Sequence, residues 1–310
     1  MGEPPHDRPS SSPSREVPSE SPTLTIGMPV FNGADYIGSA VGSILSQSFA
    51  DFELIISDNA STDDTQAIAA SLAARDPRVR YRRNAENLGI SANFNLLVPM
   101  ARGRYFKWAT ADDLLRPGYL ARCLEALDAD PTVVLAYTQT DFIDADGNRL
   151  DLVDPGWQLM TDDRSERLRF AITADHFVNA VLGVMVTSSL RGTRLSANYP
   201  GGDYRLMAEL SLLGKFIEVP EPLYVRRIHP SSTKGNTGNT SWLRGYFGGA
   251  RPRGRAAYWR LSGDRAVIVL KADIPVTRKL ALLGQLARTM ITNRRQLVAG
   301  LLELLGRDRS

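Results

Sequence analysis

From Thr23 to Tyr137 the chain repeats one unit, a short apolar run followed by a stretch with apolar residues at helical spacing. Leu24 to Met28 precedes Tyr36 to Gln47, Phe52 to Ser57 precedes Thr65 to Arg75, and Val79 to Arg82 precedes Ser91 to Met100. Strands that alternate with helices in this way pair in parallel, because each helix carries the chain back across the sheet. The pattern predicts an α/β fold with a mostly parallel central sheet flanked by helices. Tyr105 to Thr110 adds a fourth strand, Gly118 to Asp128 a helix and Val133 to Tyr137 a fifth strand, and Asp144 to Asn148 reads as a turn.

After Leu150 the alternation breaks down. A helix over Arg164 to Ile172, an apolar run from Phe177 to Val186, a helix over Tyr204 to Leu213 and two short strands, Phe216 to Val219 and Leu223 to Arg227, predict a mixed half closing over the sheet. Residues 231 to 263 are rich in Gly, Ser and Arg. The last segment is helical in pattern, with Leu283, Leu286, Met290, Leu297, Leu301 and Leu304 near one stripe. No internal repeat is present. The expected division is a disordered Pro/Ser-rich tail over residues 1–22, a main domain over 23–234 with halves at 23–137 and 138–234, and a basic, partly helical extension over 235–310.

A chain of 310 residues can bury a sizeable core. Cys123 is the single cysteine, so nothing points to an oxidising compartment, and it shares a helical stripe with Leu120, Leu124 and Leu127 that predicts a core position. The tail lacks the apolar stretch of a signal peptide. Met1-Gly2 opens like a myristoylation site, but His6 stands where Ser or Thr is needed. No apolar run approaches the roughly 20 residues of a membrane span, so the expected location is the cytoplasm, including the inner face of the membrane. Residues 241–310 hold 14 Lys or Arg against 4 Asp or Glu, a net of +10 within a total of +3. Three readings of that segment stand open: contact with anionic lipid, a solvated helix covering the domain, and a homodimer contact. Nucleic acid is not expected, because the basic residues come without a recognition motif.

Open α/β sheets bind ligands at the carboxyl ends of their strands, and three stretches reach that edge. Gly103 to Asp113 delivers the adjacent carboxylates Asp112 and Asp113. They read either as a cradle for a divalent cation carrying a phosphorylated ligand or as solvated acids ahead of a helix start. Met28-Pro29-Val30-Phe31-Asn32 and Phe52 to Thr65 end on the same side. A base stacked on Phe31 would give its imide hydrogen to Asp58, which suits a pyrimidine; the alternative makes Phe31 core and leaves Asn59, Ser61 and Thr62 to turn the chain and cap a helix. Asn87, Gly89 and Asn93 form a turn and helix start with the same two readings. In Pro200-Gly201-Gly202-Asp203 the glycines leave room for a ligand, and Asp203 is either a base for an acceptor proton or a helix cap. His229 is either structural or part of a metal or phosphate site. Arg226, Arg227 and Lys234 are candidate phosphate contacts. Trp108 and His176 read as packing or surface residues, and His6 belongs to the tail.

Taken in order, Met28-Pro-Val-Phe-Asn32, Ser46-Gln47-Ser48-Phe49 before Phe52-Glu53-Leu54, Ser57-Asp58-Asn59-Ala60-Ser61, Asn87-Leu88-Gly89 and Gly103-Arg104-Tyr105 before the acid pair resemble the family 2 glycosyltransferases. The resemblance is close from Thr23 to Tyr137 and looser to His229. It implies a GT-A (Rossmann-like) fold and transfer of a sugar, with inversion, from a nucleotide donor to a hydroxyl of a saccharide, lipid-linked or small-molecule acceptor, as in polysaccharide or glycoconjugate synthesis. A UDP- or dTDP-sugar is favoured. It further implies that Asp58 bonds the uracil or thymine ring, that Phe31 packs on it, and that Pro29, Asn32, Asn87, Gly89, Ala111 and Arg227 stand at the donor. Asp112 would bind a Mg2+ or Mn2+ ion on the donor diphosphate, with Asp113 and His229 completing its shell, and Asp203 would be the catalytic base. One departure is visible: Thr110 and Ala111 precede Asp112 where the family usually carries a further acid. Two rivals from other classes remain. A nucleotidyltransferase would open with a Gly-rich phosphate loop, which Met28 to Asn32 lacks; a non-catalytic sugar-nucleotide-binding module would fit the missing acid but not the retention of Asp203 and His229.

Overall fold

The computed structural model describes residues 21–174, 179–230, 232 and 254–292. The expected tail, His176, Lys234 and the last part of the leucine stripe lie outside them.

Strands β1 (Leu24–Val30) and β2 (Phe52–Asp58) are buried at every position, as central strands covered on both faces must be. With β3 (Val79–Arg83) and β4 (Tyr105–Trp108) they form the parallel part of one sheet, in the order β3-β2-β1-β4. Beyond β4 the order continues β8-β6-β9-β5, where β8 is Val184–Val186, β6 Val133–Ile143, β9 Lys215–Arg227 and β5 Leu114–Leu115; β7 (Arg149–Leu150) pairs with β6. β8 is antiparallel to both β4 and β6, and β9 runs parallel to β6. The long strands therefore all point one way, as the alternation predicts.

Helices α1 (Ile37–Leu45), α2 (Thr65–Arg75), α3 (Ile90–Met100) and α4 (Tyr119–Ala129) fill the crossovers. α1 buries Ile37, Ala40, Val41 and Ile44, and α4 buries Leu120, Cys123, Leu124 and Leu127, so Cys123 is a core residue. The second half holds α5 (Arg164–Thr173), a 3-10 turn at Asn179–Leu182, α6 (Thr187–Arg191) and α7 (Gly202–Leu213).

Two expectations change. The separate strands at 216–219 and 223–227 are one strand, β9, despite Pro220 and Pro222. The register shift between Thr138 and Thr140 in the facing strand β6 absorbs the proline interruption. The other change concerns the division at residue 234. Helices α8 (Gly254–Lys271) and α9 (Val276–Thr292) contribute Ile268, Val269, Leu282 and Leu286, and the link between them Ala272 and Ile274, to the same apolar core as β1 and β2. The described C-terminal helices are thus packed into the main body. Among the described residues no helix is long and apolar enough to cross a membrane.

Candidate active site

The ends of β1, β2 and β4 lie side by side, with Val30 opposite Asp58 and Gly27 opposite Trp108. They open onto a cavity of about 1030 Å³ whose far wall is the turn from Tyr199 to Tyr204. The loop after β1 forms one rim. Asn32 has a φ of 53°, in the left-handed region where Asn is better tolerated than most residues. Its amide donates to Ser61 Oγ at 2.9 Å, and its Oδ1 accepts from the Thr62 amide at 2.8 Å. This stitching turns the chain so that Phe31, 40% exposed, presents its ring beside the cavity. Pro29 lines the cavity as well.

Asp58 is not on the cavity wall. Its side chain is fully buried; Oδ1 accepts from the Ser61 amide at 2.8 Å, and Oδ2 accepts from Tyr81 at 2.8 Å and Arg83 at 2.6 Å. Burial alone would raise this carboxyl, but the bonds from Ser61, Tyr81 and Arg83 outweigh it and hold it below the usual carboxylate range. The free acceptor expected for a base imide is therefore not presented here. Asparagines stand at this end instead. Asn59 Nδ2 donates to Asn87 Oδ1 at 2.7 Å, Asn84 donates to Asn59 Oδ1 at 2.9 Å and to Asn93 Oδ1 at 3.0 Å, and Asn59, Asn87 and Asn93 reach the cavity. Gly89, with φ of 80°, makes the bend into α3 but does not line the cavity. Asn84 carried no sequence signal, because its role arises only when β3 brings it beside Asn59.

Asp112 and His229 meet across the cavity. His229 Nε2 lies 3.0 Å from Asp112 Oδ2, and the His229 ring packs against Tyr36 at 4.9 Å between centroids. The contact is a hydrogen bond between the two side chains, and among the described residues no group of three His, Cys, Asp or Glu side chains is gathered as a metal site, so a Mg2+ or Mn2+ ion held by Asp112 and His229 would take most of its ligands from substrate oxygens and water. Ala111 lines the cavity beside them.

Asp113 departs from expectation as a metal ligand, because its carboxylate faces inward. It accepts from Thr110 Oγ1 at 2.5 Å, from the Tyr224 hydroxyl and from the Arg227 amide at 2.8 Å. Burial, then the neighbouring Asp112 charge, raises its pKa. Its work is to hold β9 against the segment that carries Asp112. Arg227 is corrected with it. Its guanidinium donates to the carbonyls of Asp112, Asp144 and Ala145 and lies over the Tyr36 ring at 4.7 Å, so it backs two cavity residues without lining the cavity itself. Arg226, next in the strand, faces the cavity instead and donates to Asn179 Oδ1. Successive strand residues point to opposite faces, which is why Arg226 lines the cavity and Arg227 does not.

Asp203 sits in the first turn of α7 on the far wall. Gly201 takes a φ of 84°, and a Cβ on Gly202 would lie 2.0 Å from the Ala197 carbonyl oxygen, so the tight turn that presents Asp203 requires both glycines. Burial raises the Asp203 carboxyl above the usual range; the Tyr204 amide at 3.1 Å and the charge of Arg226 oppose that only in part. A carboxylate in this state is a stronger base at neutral pH than an exposed one.

A buried cation lies behind the site. Lys107 is fully buried, donates to the Leu182 carbonyl, and holds its ammonium 4.6 Å from the Tyr119 ring and 5.3 Å from that of Tyr224. Burial lowers its pKa to about 7. Its signal in the sequence is a lysine between Phe106 and Trp108 in a central strand, which only a buried partner can explain.

Comparison with known proteins adds a second line of observation. The family described as Glycosyl transferase family 2 matches residues 25–186. A chondroitin synthase of Escherichia coli is 31% identical over 212 residues, which cover 68% of this chain and 30% of the relative. A hyaluronan synthase of Pasteurella multocida is 30% identical over 212 residues, 68% of this chain and 21% of the relative. The chain thus spans under a third of the length of these relatives. Among solved structures, S. aureus TarS 1-349 in complex with UDP-GlcNAc superposes with a TM-score of 0.66 at 14% identity, over 87% of this chain and 73% of that one. The mannosyltransferase PcManGT of Pyrobaculum calidifontis, in complex with GDP-Man and Mn2+, gives 0.53 at 19% identity over 94% and 89%. These two likenesses establish the sheet-and-helix architecture.

Proposed function

The chain belongs to glycosyl transferase family 2, and on that premise we propose that it moves a sugar from a nucleoside diphosphate donor to a hydroxyl acceptor with inversion, in the assembly of a polysaccharide or glycoconjugate. The observation that carries this reading is the pairing of Asp112 with His229 at 3.0 Å in the lining of a cavity that Asp203 lines as well. The ligands named for the neighbours, UDP-GlcNAc in one and GDP-Man with Mn2+ in the other, support a nucleotide sugar here and a divalent ion with it.

Phe31 and the Asn59–Asn87 pair receive the base and ribose end, with a UDP- or dTDP-sugar favoured. Asp58 supports that end from beneath by fixing Ser61 and hence Asn32. Asp112 and His229 would hold a Mg2+ or Mn2+ ion, which when bound would supply neutralising charge for the leaving diphosphate. Arg226 adds a fixed positive charge. Asp203 takes the proton of the acceptor hydroxyl as its oxygen attacks the sugar carbon from the face opposite the diphosphate. The acceptor, saccharide or lipid-linked, enters along the wall from Tyr199 to Tyr204. Contact with an anionic lipid surface would run through the basic C-terminal segment, whose net charge over residues 241–310 is +10.

A calorimetric panel of UDP, dTDP and GDP and their sugars, with and without Mn2+, tests the reading. The expected result is that one nucleotide binds with Mn2+-dependent affinity and that its sugar is turned over once saccharide and lipid-linked hydroxyl acceptors are supplied. Binding without turnover favours the non-catalytic module suggested by Thr110 and Ala111; no binding by any nucleotide contradicts both.

A further inference from the structure

The wall that carries Asp203 is held from outside the family-matched region, by helix α8. Tyr199 lines the cavity and is nearly buried, and its hydroxyl donates to Asp264 Oδ2 at 2.5 Å across 65 positions of sequence. Asp264 also pairs with Arg194 at 3.0 Å and Arg205 at 3.7 Å. Arg205 in turn donates to the carbonyls of Arg194 and Leu195 at 3.0 and 2.9 Å, so one carboxylate gathers both ends of the segment that runs from Arg194 into α7.

The next residue acts on the next tyrosine. Arg265 donates to the Ala174 carbonyl at 3.1 Å and places its guanidinium 5.6 Å from the ring of Tyr204, another cavity residue. Apolar packing completes the contact. Leu261 packs on Ala197, Tyr199 and Ala257, and its Cδ2 would lie 3.5 Å from a Cβ at Gly201. On its other side the same segment is tied to α3, where Ser91 donates to the Ala197 carbonyl and Asn95 exchanges two bonds with Ser196. Between these anchors lie Pro200, Gly201 and Gly202. The turn is closed by its own bonds, from the Gly202 amide to the Tyr199 carbonyl at 2.9 Å and from the Ala197 amide to the Gly202 carbonyl at 3.2 Å, so it carries Asp203 as a unit whose position depends on what holds the segment's flanks.

We infer that Asp264 is a positioning residue for the acceptor-side wall: through Tyr199 and the arginines it fixes the turn that presents Asp203, making α8 part of the working site. The inference rests on the reading of Asp203 as the acceptor base. A displacement of about 1 Å in such a group can cost on the order of a hundredfold in rate while leaving a separate ligand contact untouched.

The test uses the full chain with Asp264→Ala and Tyr199→Phe, the second removing one hydroxyl and keeping the ring that packs on Leu261. Hydrogen exchange of the amides at Tyr199, Gly202 and Tyr204 is read beside that of Leu54 in β2, away from the cavity lining. Nucleotide affinity with Mn2+ and turnover of the matching sugar nucleotide are measured on the same samples. The expected result is exchange at least about tenfold faster in the three wall amides of Asp264→Ala and unchanged at Leu54. Turnover falls at least about tenfold while nucleotide affinity stays within about twofold, and Tyr199→Phe moves in the same direction by less. Unchanged exchange and turnover in both variants overturn the inference, as does an equal loss of nucleotide affinity and turnover. If no nucleotide binds the unaltered protein, the functional reading has failed, and faster exchange confined to the wall still decides whether Asp264 positions it.

Discussion

His229 Nε2 lies 3.0 Å from Asp112 Oδ2 although 117 positions separate them. β9 makes the meeting. It pairs with β6 along most of its length and with β5 through Val225 and Tyr224, and the Asp113 carboxylate binds it beside Asp112. The pair is thus built by the mixed half of the sheet closing on the parallel half.

If this pair holds the ion, removing either member removes the benefit of metal. Asp112→Asn and His229→Ala should each abolish the gain in nucleotide affinity that Mn2+ gives, a loss of at least about tenfold, and leave the metal-free affinity near that of the unaltered protein. Calorimetry with and without Mn2+ checks this, and retention of the full gain in both variants contradicts it.

Phe31 lines the same cavity, and on the proposed reading its ring meets the base. Base-on-aromatic stacking contributes roughly 1 to 3 kcal/mol, so Phe31→Ala should weaken nucleotide binding by about 5- to 150-fold. The same loss for UDP and for ribose phosphate alone would show that the ring does not meet the base.

Much of this was legible in the sequence, and the limits have physical causes. The strands β1 to β4 and their helices follow from alternation, which is a local property. The edge of the sheet that carries the site follows from strand direction, which points to Phe31, Asn32 and Asp112; Asp203 and His229 follow from the glycines ahead of the one and from the family resemblance, and all five line one cavity. Asp58, Asp113 and Arg227 were named for the same reason and point elsewhere, because side-chain direction at a strand end depends on which neighbours supply hydrogen bonds. Tyr81 and Arg83 claim Asp58, and Thr110 and Tyr224 claim Asp113. Tyr199 and Asp264 were missed entirely, since their contact joins segments with no shared pattern.

Lys107 gives a stability prediction with a defined sign. Its pKa falls from 10.5 to about 7 on folding because of burial, so between those values the unfolded chain binds more protons and stability rises with pH. The slope approaches about 1.4 kcal/mol per pH unit. Cys123, whose thiol burial raises from 9.0 to about 12, opposes this above its ordinary pKa, so the clean window is roughly pH 7 to 8.5. Urea unfolding across it should show a rising midpoint in the unaltered chain and a flatter one in Lys107→Met; equal slopes contradict the assignment.

Asp203 gives a second pH prediction, on rate. It must be ionised to accept a proton, and burial raises its pKa, so turnover should fall at low pH along a limb lying above the ordinary Asp value of about 3.9. A rate profile flat down to that value contradicts the raised base.

The most direct measurement is made on Asp203→Asn, with donor affinity and turnover determined on the same preparation. The expected result is affinity within about twofold of the unaltered protein and turnover lower by about 10² to 10⁴, the share a general base contributes. Turnover within a few-fold of the unaltered protein would contradict the assignment of Asp203 as the base and, with it, the proposed chemistry of the site.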